Sequence, residues 1–192
     1  MRTTAALLTA CAIAGLAGHV TAAVKVKTQF TKSFDFTKAK TWSWHEGGPG
    51  EVKMALTADD NPELVRQRAE PVIMEAVAAT LPQRGLAAAA PGAPSDVKIK
   101  YYVLITLGTD AQTIGQFLPA VTAWGVPPFT GATQSYSVIE RGSLVLDISA
   151  NKEVVWRGIG QAELKPGQTS EKRAALVREA VADILKKYPP KP

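Results

Sequence analysis

Apolar and polar positions alternate in several places along the chain, and each alternation predicts a strand. In VKVKTQF (residues 24–30), Val24, Val26 and Thr28 take one side of an extended segment, and Lys25, Lys27 and Gln29 take the other. TWSWH (residues 41–45) is a second, shorter strand, broken by the Gly and Pro of EGGPGE. The longest candidate is DVKIKYYVLITLGT (residues 96–109). Val97, Ile99, Tyr101, Val103, Ile105 and Leu107 share one face. The other face, Lys98, Lys100, Tyr102, Leu104 and Thr106, turns apolar toward its end, as a partly covered face would. QSYSVIERGSLVLDIS and EVVWRGIGQAEL then form a hairpin about Ala150-Asn151-Lys152.

Two stretches switch to helical spacing. Asn61-Pro62-Glu63 is a helix start, with a capping side chain, proline in the first turn and an acid at the positive end of the dipole. Val65, Ala69, Val72, Ala76 and Val77 continue it as an apolar stripe, widened by Leu64, Ile73 and Leu81. Pro71 lies within the stripe and is expected to kink or restart the helix. The second helix spans residues 170–188, with Ala174, Val177, Val181, Ile184 and Tyr188 inward, beside Ala180 and Leu185. Thr169 or Ser170 caps it, and Pro189-Pro190 forbids continuation. Strands joined by short links favour antiparallel pairing, and each helix has one apolar face to hide. The expected fold is α+β: a two-layer sandwich of a mostly antiparallel sheet of about five strands, with both helices on one face.

Register decides where the tryptophans point. Trp42 and Trp44 share a side of any extended TWSWH, and two rings of about 200 Å² each favour the core. For Trp156, a two-residue turn at Asn151-Lys152 sets it opposite Asp147. A three-residue turn sets it opposite Leu146. The second register segregates better, with Leu144, Leu146, Ile148, Val154 and Trp156 on one side and Asp147 and Arg157 on the other. Asp147 and Arg157 then form a cross-strand pair, expected at the surface.

The amino terminus adds a compartment. Arg2 precedes an uncharged, mostly apolar run over residues 5–17, and small residues at Val20 and Ala22, or Thr21 and Ala23, suit a signal-peptidase site. The run is shorter than the roughly 20 residues that span a bilayer. Residues 1–23 are therefore read as a secretory signal and residues 24–192 as a single periplasmic domain. LTAC (residues 8–11) matches a short lipobox, so the alternative is a lipid anchor at Cys11. Membrane association is expected only if Cys11 is lipidated. Cleavage after residue 23 leaves a chain without cysteine, hence without disulfide or thiolate chemistry. The formal charge of +5 is mild, and no dense basic cluster points to nucleic acid.

FDFTKAKTWSWHE and GSLVLDISANKEVVWRG, with a terminal helix ending in YPP, resemble the bacterial envelope family called domain of unknown function 4136. The resemblance covers most of residues 24–190. It implies an exported or lipid-anchored amino terminus, a D-F-x-x-x-x-T-x-x-W segment, a central helix and a late strand pair ending in W-R-G. The matching positions are Asp35, Phe36, Thr41, Trp44, Trp156, Arg157 and Gly158. Family members often carry a lipobox after a longer signal, from which this chain departs. The resemblance brings no catalytic residue with it.

Little else suggests chemistry. His45, the one histidine beyond the signal, offers no metal-ligand spacing, and no G-x-S-x-G elbow accompanies it. GIGQAE lacks the third glycine and following helix of a dinucleotide loop. No catalytic, cofactor or metal site is assigned. Residues 110–133 have no period but are rich in apolar side chains, and Phe117, Leu118, Val121, Trp124, Val126 and Phe129 are the candidate binding surface. The leading expectation is a non-catalytic envelope protein that binds a partner protein or assists an assembly. The alternative is a binder of a small apolar ligand or lipid. A hydrolase using a serine and His45 ranks last.

Overall fold

The computed structural model describes residues 24–54, 61–105, 112–114, 136–138, 142–164 and 167–191. Nine strands and two α-helices are found among them. The strands are β1 (Lys25–Phe30), β2 (Thr41–Trp44), β3 (Gly50–Met54), β4 (Ala87–Ala88), β5 (Val97–Ile105), β6 (Gln112–Ile114), β7 (Tyr136–Val138), β8 (Gly142–Ala150) and β9 (Glu153–Ala162). The helices are α1 (Pro62–Thr80) and α2 (Ser170–Leu185).

The sheet has seven strands rather than five. Its order is β1-β9-β8-β5-β2-β4, with β3 also on β5. Pairings of β1 with β9, β9 with β8 and β8 with β5 are antiparallel. Those of β2 and β3 with β5, and of β2 with β4, are parallel. A physical reason lies in the connection: α1 separates β3 from β5, and a crossover of that kind returns the chain in the parallel sense. β2 and β3 use one edge of β5, at Val97–Ile99 and Tyr101–Ile105 respectively. The Gly-Pro segment between them loops out and rejoins, with the His45 amide on the Ile99 carbonyl and the Tyr101 amide on the Pro49 carbonyl. The apolar run predicted as one strand before the late hairpin is divided: residues 136–138 pair with 112–114 in a separate two-stranded ribbon.

α1 begins as its cap predicts, the Asn61 side chain accepting from the Glu63 and Leu64 amides. It does not restart at Pro71, which lies inside an unbroken helix. Pro71 is exposed, so the Gln67 carbonyl it leaves without a helical donor can face water. Thr169 caps α2 through the Lys172 amide. α2 ends three residues before its predicted limit, and a tight turn carries Tyr188 back into the core.

The hairpin between β8 and β9 departs from expectation in an instructive way. Asn151 and Lys152 have φ values of 51° and 68°, a two-residue turn of the primed kind, and Ala150 faces Glu153. The ladder then shifts between Ile148 and Ser149, so Trp156 comes to lie opposite Ile148. The expected segregation of Trp156 with Leu144, Leu146 and Ile148 is present, but a bulge produces it, not a three-residue turn. Val155, not Val154, joins the core.

Tyr101, Leu146 and Gly158 form one row across β5, β8 and β9. The Tyr101 hydroxyl donates to Glu70 of α1 at 2.6 Å, and Ile184 of α2 lies over Gly158. Both helices thus touch this side of the sheet, and they pack on each other as well. Ile73, Val77, Val181, Ile184, Trp42, Ile99, Tyr101, Leu146, Ile148 and Trp156 make the core. Among the described residues, no helix is long and apolar enough to cross a membrane.

Candidate functional site

Asp35 accepts from the Thr37 amide and hydroxyl at 3.0 and 2.6 Å, which closes the turn after β1. Those bonds hold its carboxyl below the usual range. Phe36 meets the rings of Phe34, Phe30 and Tyr188 edge to face. Thr41 gives its amide and hydroxyl to Asp96 Oδ2 at 2.8 and 2.9 Å, and its hydroxyl accepts from the Asp96 amide, which pins the start of β2 to the start of β5. Trp44 is half-buried and lies edge to face against the buried Trp42, 5.4 Å away. Trp156 is fully buried, with Tyr188 5.5 Å away. At Gly158 a Cβ would stand 2.3 Å from Ile184 Cγ2 and 2.4 Å from the Trp156 ring. Phe36, Trp44, Trp156 and Gly158 serve the core or its edge, Asp35 and Thr41 fix a turn and a strand start, and no shared cleft gathers them.

The pair of Arg157 with Asp147 is buried, not at the surface as alternation predicts: the Arg157 and Asp147 side chains are 1% and 4% exposed. Nε and Nη2 donate to the two carboxylate oxygens, each at 2.6 Å, in the bidentate geometry that suits a guanidinium. Burial pulls the Arg157 pKa down, while the Asp147 charge and hydrogen bonds push it up, and the balance is upward. The residues are direct cross-strand partners on the sheet side away from Trp156. That side also carries Tyr102, Leu104, Ser143, Val145, Ile159 and Gln161, all buried. Strict alternation made Asp147 and Arg157 look solvent-facing, although the apolar end of this face in β5, Tyr102 and Leu104, already pointed to partial cover. Along its edge run ion pairs of Lys98 with Glu46 and of Glu51 with Lys100 and Lys53.

The second feature is a cavity of about 700 Å³ on the helix side of the sheet. It opens between the first halves of α1 and α2, over the ends of β5, β8 and β9. Val65, Ala69 and Val72 line it from α1, Val103 and Ile105 from β5, and Ala174 and Val177 from α2. Its size lies within the roughly 300–1,000 Å³ of small-molecule sites. Gly142 and Gly160 contribute to its floor. Gln168 lines it too, and its buried amide oxygen has no partner among the described residues. The ionic part of the lining is Arg68, Arg173, Arg178 and Glu171. The sequence held these residues in plain view, as two apolar stripes. What it could not show is that the two stripes leave a cavity between them and the sheet.

Other expected positions give no site. His45 is exposed, and its Nδ1 accepts from the Gly47 amide at 3.0 Å. Among the described residues, no three His, Cys, Asp or Glu side chains group as metal ligands. Phe117, Leu118, Val121, Trp124, Val126 and Phe129, like Cys11, lie outside the described residues.

Comparison with known proteins agrees with the architecture. A family model described as domain of unknown function DUF4136 matches residues 26–190. Curated proteins give no match. A DUF4136 family protein from Bacteroides thetaiotaomicron is similar in structure, with 16% identity, a TM-score of 0.50, and coverage of 86% of this chain and 96% of that one. A PDZ domain protein from Parabacteroides distasonis matches at 13% identity and a TM-score of 0.49, over 87% of this chain. The match takes in 36% of that protein, so this chain spans about a third of its length.

Proposed function

Because the chain belongs to the DUF4136 family, whose description assigns no activity, we propose a function from the site itself: a non-catalytic envelope protein that holds an apolar chain between its two helices and its sheet. The observation that carries this reading is the 700 Å³ cavity with its aliphatic walls. Burying apolar surface contributes about 25 cal/mol per Å², so a cavity so lined favours an aliphatic guest over water. The secretory character of residues 1–23 supports an envelope location, where lipids and their breakdown products are at hand. Mass measurement of the mature protein separates cleavage after residue 23 from acylation at Cys11.

Native mass spectrometry with hexadecanol tests the cavity. Wild-type protein is expected to bind one molecule, and Ala174→Trp, which places an indole in the space, to bind none while keeping its melting temperature. Equal binding by both, or by neither, contradicts the reading. A protein-binding role through Phe117, Leu118, Val121, Trp124, Val126 and Phe129 ranks second, since its support is the sequence alone.

A further inference from the structure

Resting on the cavity reading, we infer that the guest is an anionic single-chain amphiphile, a free fatty acid, whose carboxylate is held at the cavity mouth by Arg68 and Arg173. Both arginines line the cavity and are exposed, so their guanidinium groups stand at its opening. They come from different helices, Arg68 from α1 and Arg173 from α2, and line the same cavity. The side chains of Arg68 and Arg173 make no ion pair or hydrogen bond among the described residues. Neighbouring arginines behave differently: Arg66 is engaged by Glu63 and Glu70, and Arg178 leans toward Glu75 at 3.9 Å.

The charge at the mouth is one-sided. With Arg178 set against Glu75, Arg68 and Arg173 against Glu171 leave a net +1 on the lining. Glu171, the one acid, is occupied locally. A backbone hydrogen bond in its own turn and the Thr169 hydroxyl hold its carboxyl below the usual range. Two cations without partners among the described residues, set over an apolar slot, match a ligand with one long apolar tail and one anionic end. Guanidinium suits a carboxylate because two of its N–H groups can meet both oxygens. A cavity of drug-like size suits one acyl chain better than the two chains of a phospholipid.

The test compares palmitate with hexadecanol, which share a tail and differ in the head, on the mature wild-type protein and on Arg68→Gln/Arg173→Gln. Titration calorimetry in low and high salt reads both. Palmitate is expected to bind wild type on the order of ten-fold more tightly than hexadecanol, with the difference falling in high salt. The double variant should lose that advantage while still binding hexadecanol, which also shows that it is folded. Equal affinity for the two ligands, or an unchanged palmitate affinity in the variant, overturns the anionic assignment and leaves the cavity reading standing. Binding of neither ligand removes the cavity reading, and this inference with it.

Discussion

Asp147→Ala isolates the buried ion pair. The substitution leaves the Arg157 guanidinium with almost no solvent contact and without the two 2.6 Å bonds from its carboxylate partner. Removing one member of a buried pair costs about 3–5 kcal/mol, because the other charge stays desolvated after losing its main counter-charge. Set against about 5–15 kcal/mol for a whole domain, that loss should be plain in a urea melt. Tryptophan emission is a suitable probe, since Trp42 and Trp156 are buried in the core. The pair itself has a small expected net effect. Its Coulomb gain is largely offset by the desolvation of both ions, so Asp147→Leu/Arg157→Met should return to within about 2 kcal/mol of wild type. An Asp147→Ala protein within about 1 kcal/mol of wild type would refute this reasoning and show that Asp147 is not the main compensation for the guanidinium.

Two further outcomes follow from packing and titration. Gly158→Ala puts a methyl 2.3 Å from Ile184 and 2.4 Å from the Trp156 ring, and overpacking of this kind costs about 1–3 kcal/mol; a melting temperature equal to wild type would contradict the contact. Burial raises the hydroxyl pKa of Tyr188 to about 12, and those of Tyr101 and Tyr102 also lie above the usual value. Stability from these groups is full below about pH 10, the unfolded value, and is lost as pH rises toward the folded one. For Tyr188 the loss approaches about 2–3 kcal/mol. Ultraviolet titration should show three tyrosines ionising late and together with unfolding, whereas ionisation near pH 10 in a folded protein would contradict their burial.

What could be read from the sequence was local. Asn61-Pro62 and Thr169 announced two helix starts through the chemistry of a cap, and the inward faces of both helices followed from spacing. The side of the sheet taken by Trp156 was legible because aliphatic and charged residues segregate, although the bulge that achieves it was not: an extra residue leaves no compositional trace. Parallel pairing of β2 and β3 with β5 was invisible, since it depends on α1 acting as a crossover. Asp147 and Arg157 looked like surface residues because alternation shows which residues share a face and not what covers that face. The cavity was the least legible feature. Its walls come from positions as far apart as Val65 and Ala180, and a void is a property of how elements meet.

The most direct test of the cavity is residue-resolved NMR of the protein during a hexadecanol titration. Saturable shifts are expected at Ala69, Val103, Ala174 and Val177, with little change at Asp147 and Arg157 across the sheet. Shifts confined to the Asp147 side, or no shift at Ala69 and Ala174 at any concentration, would contradict the claim that the helices and the sheet enclose the binding site.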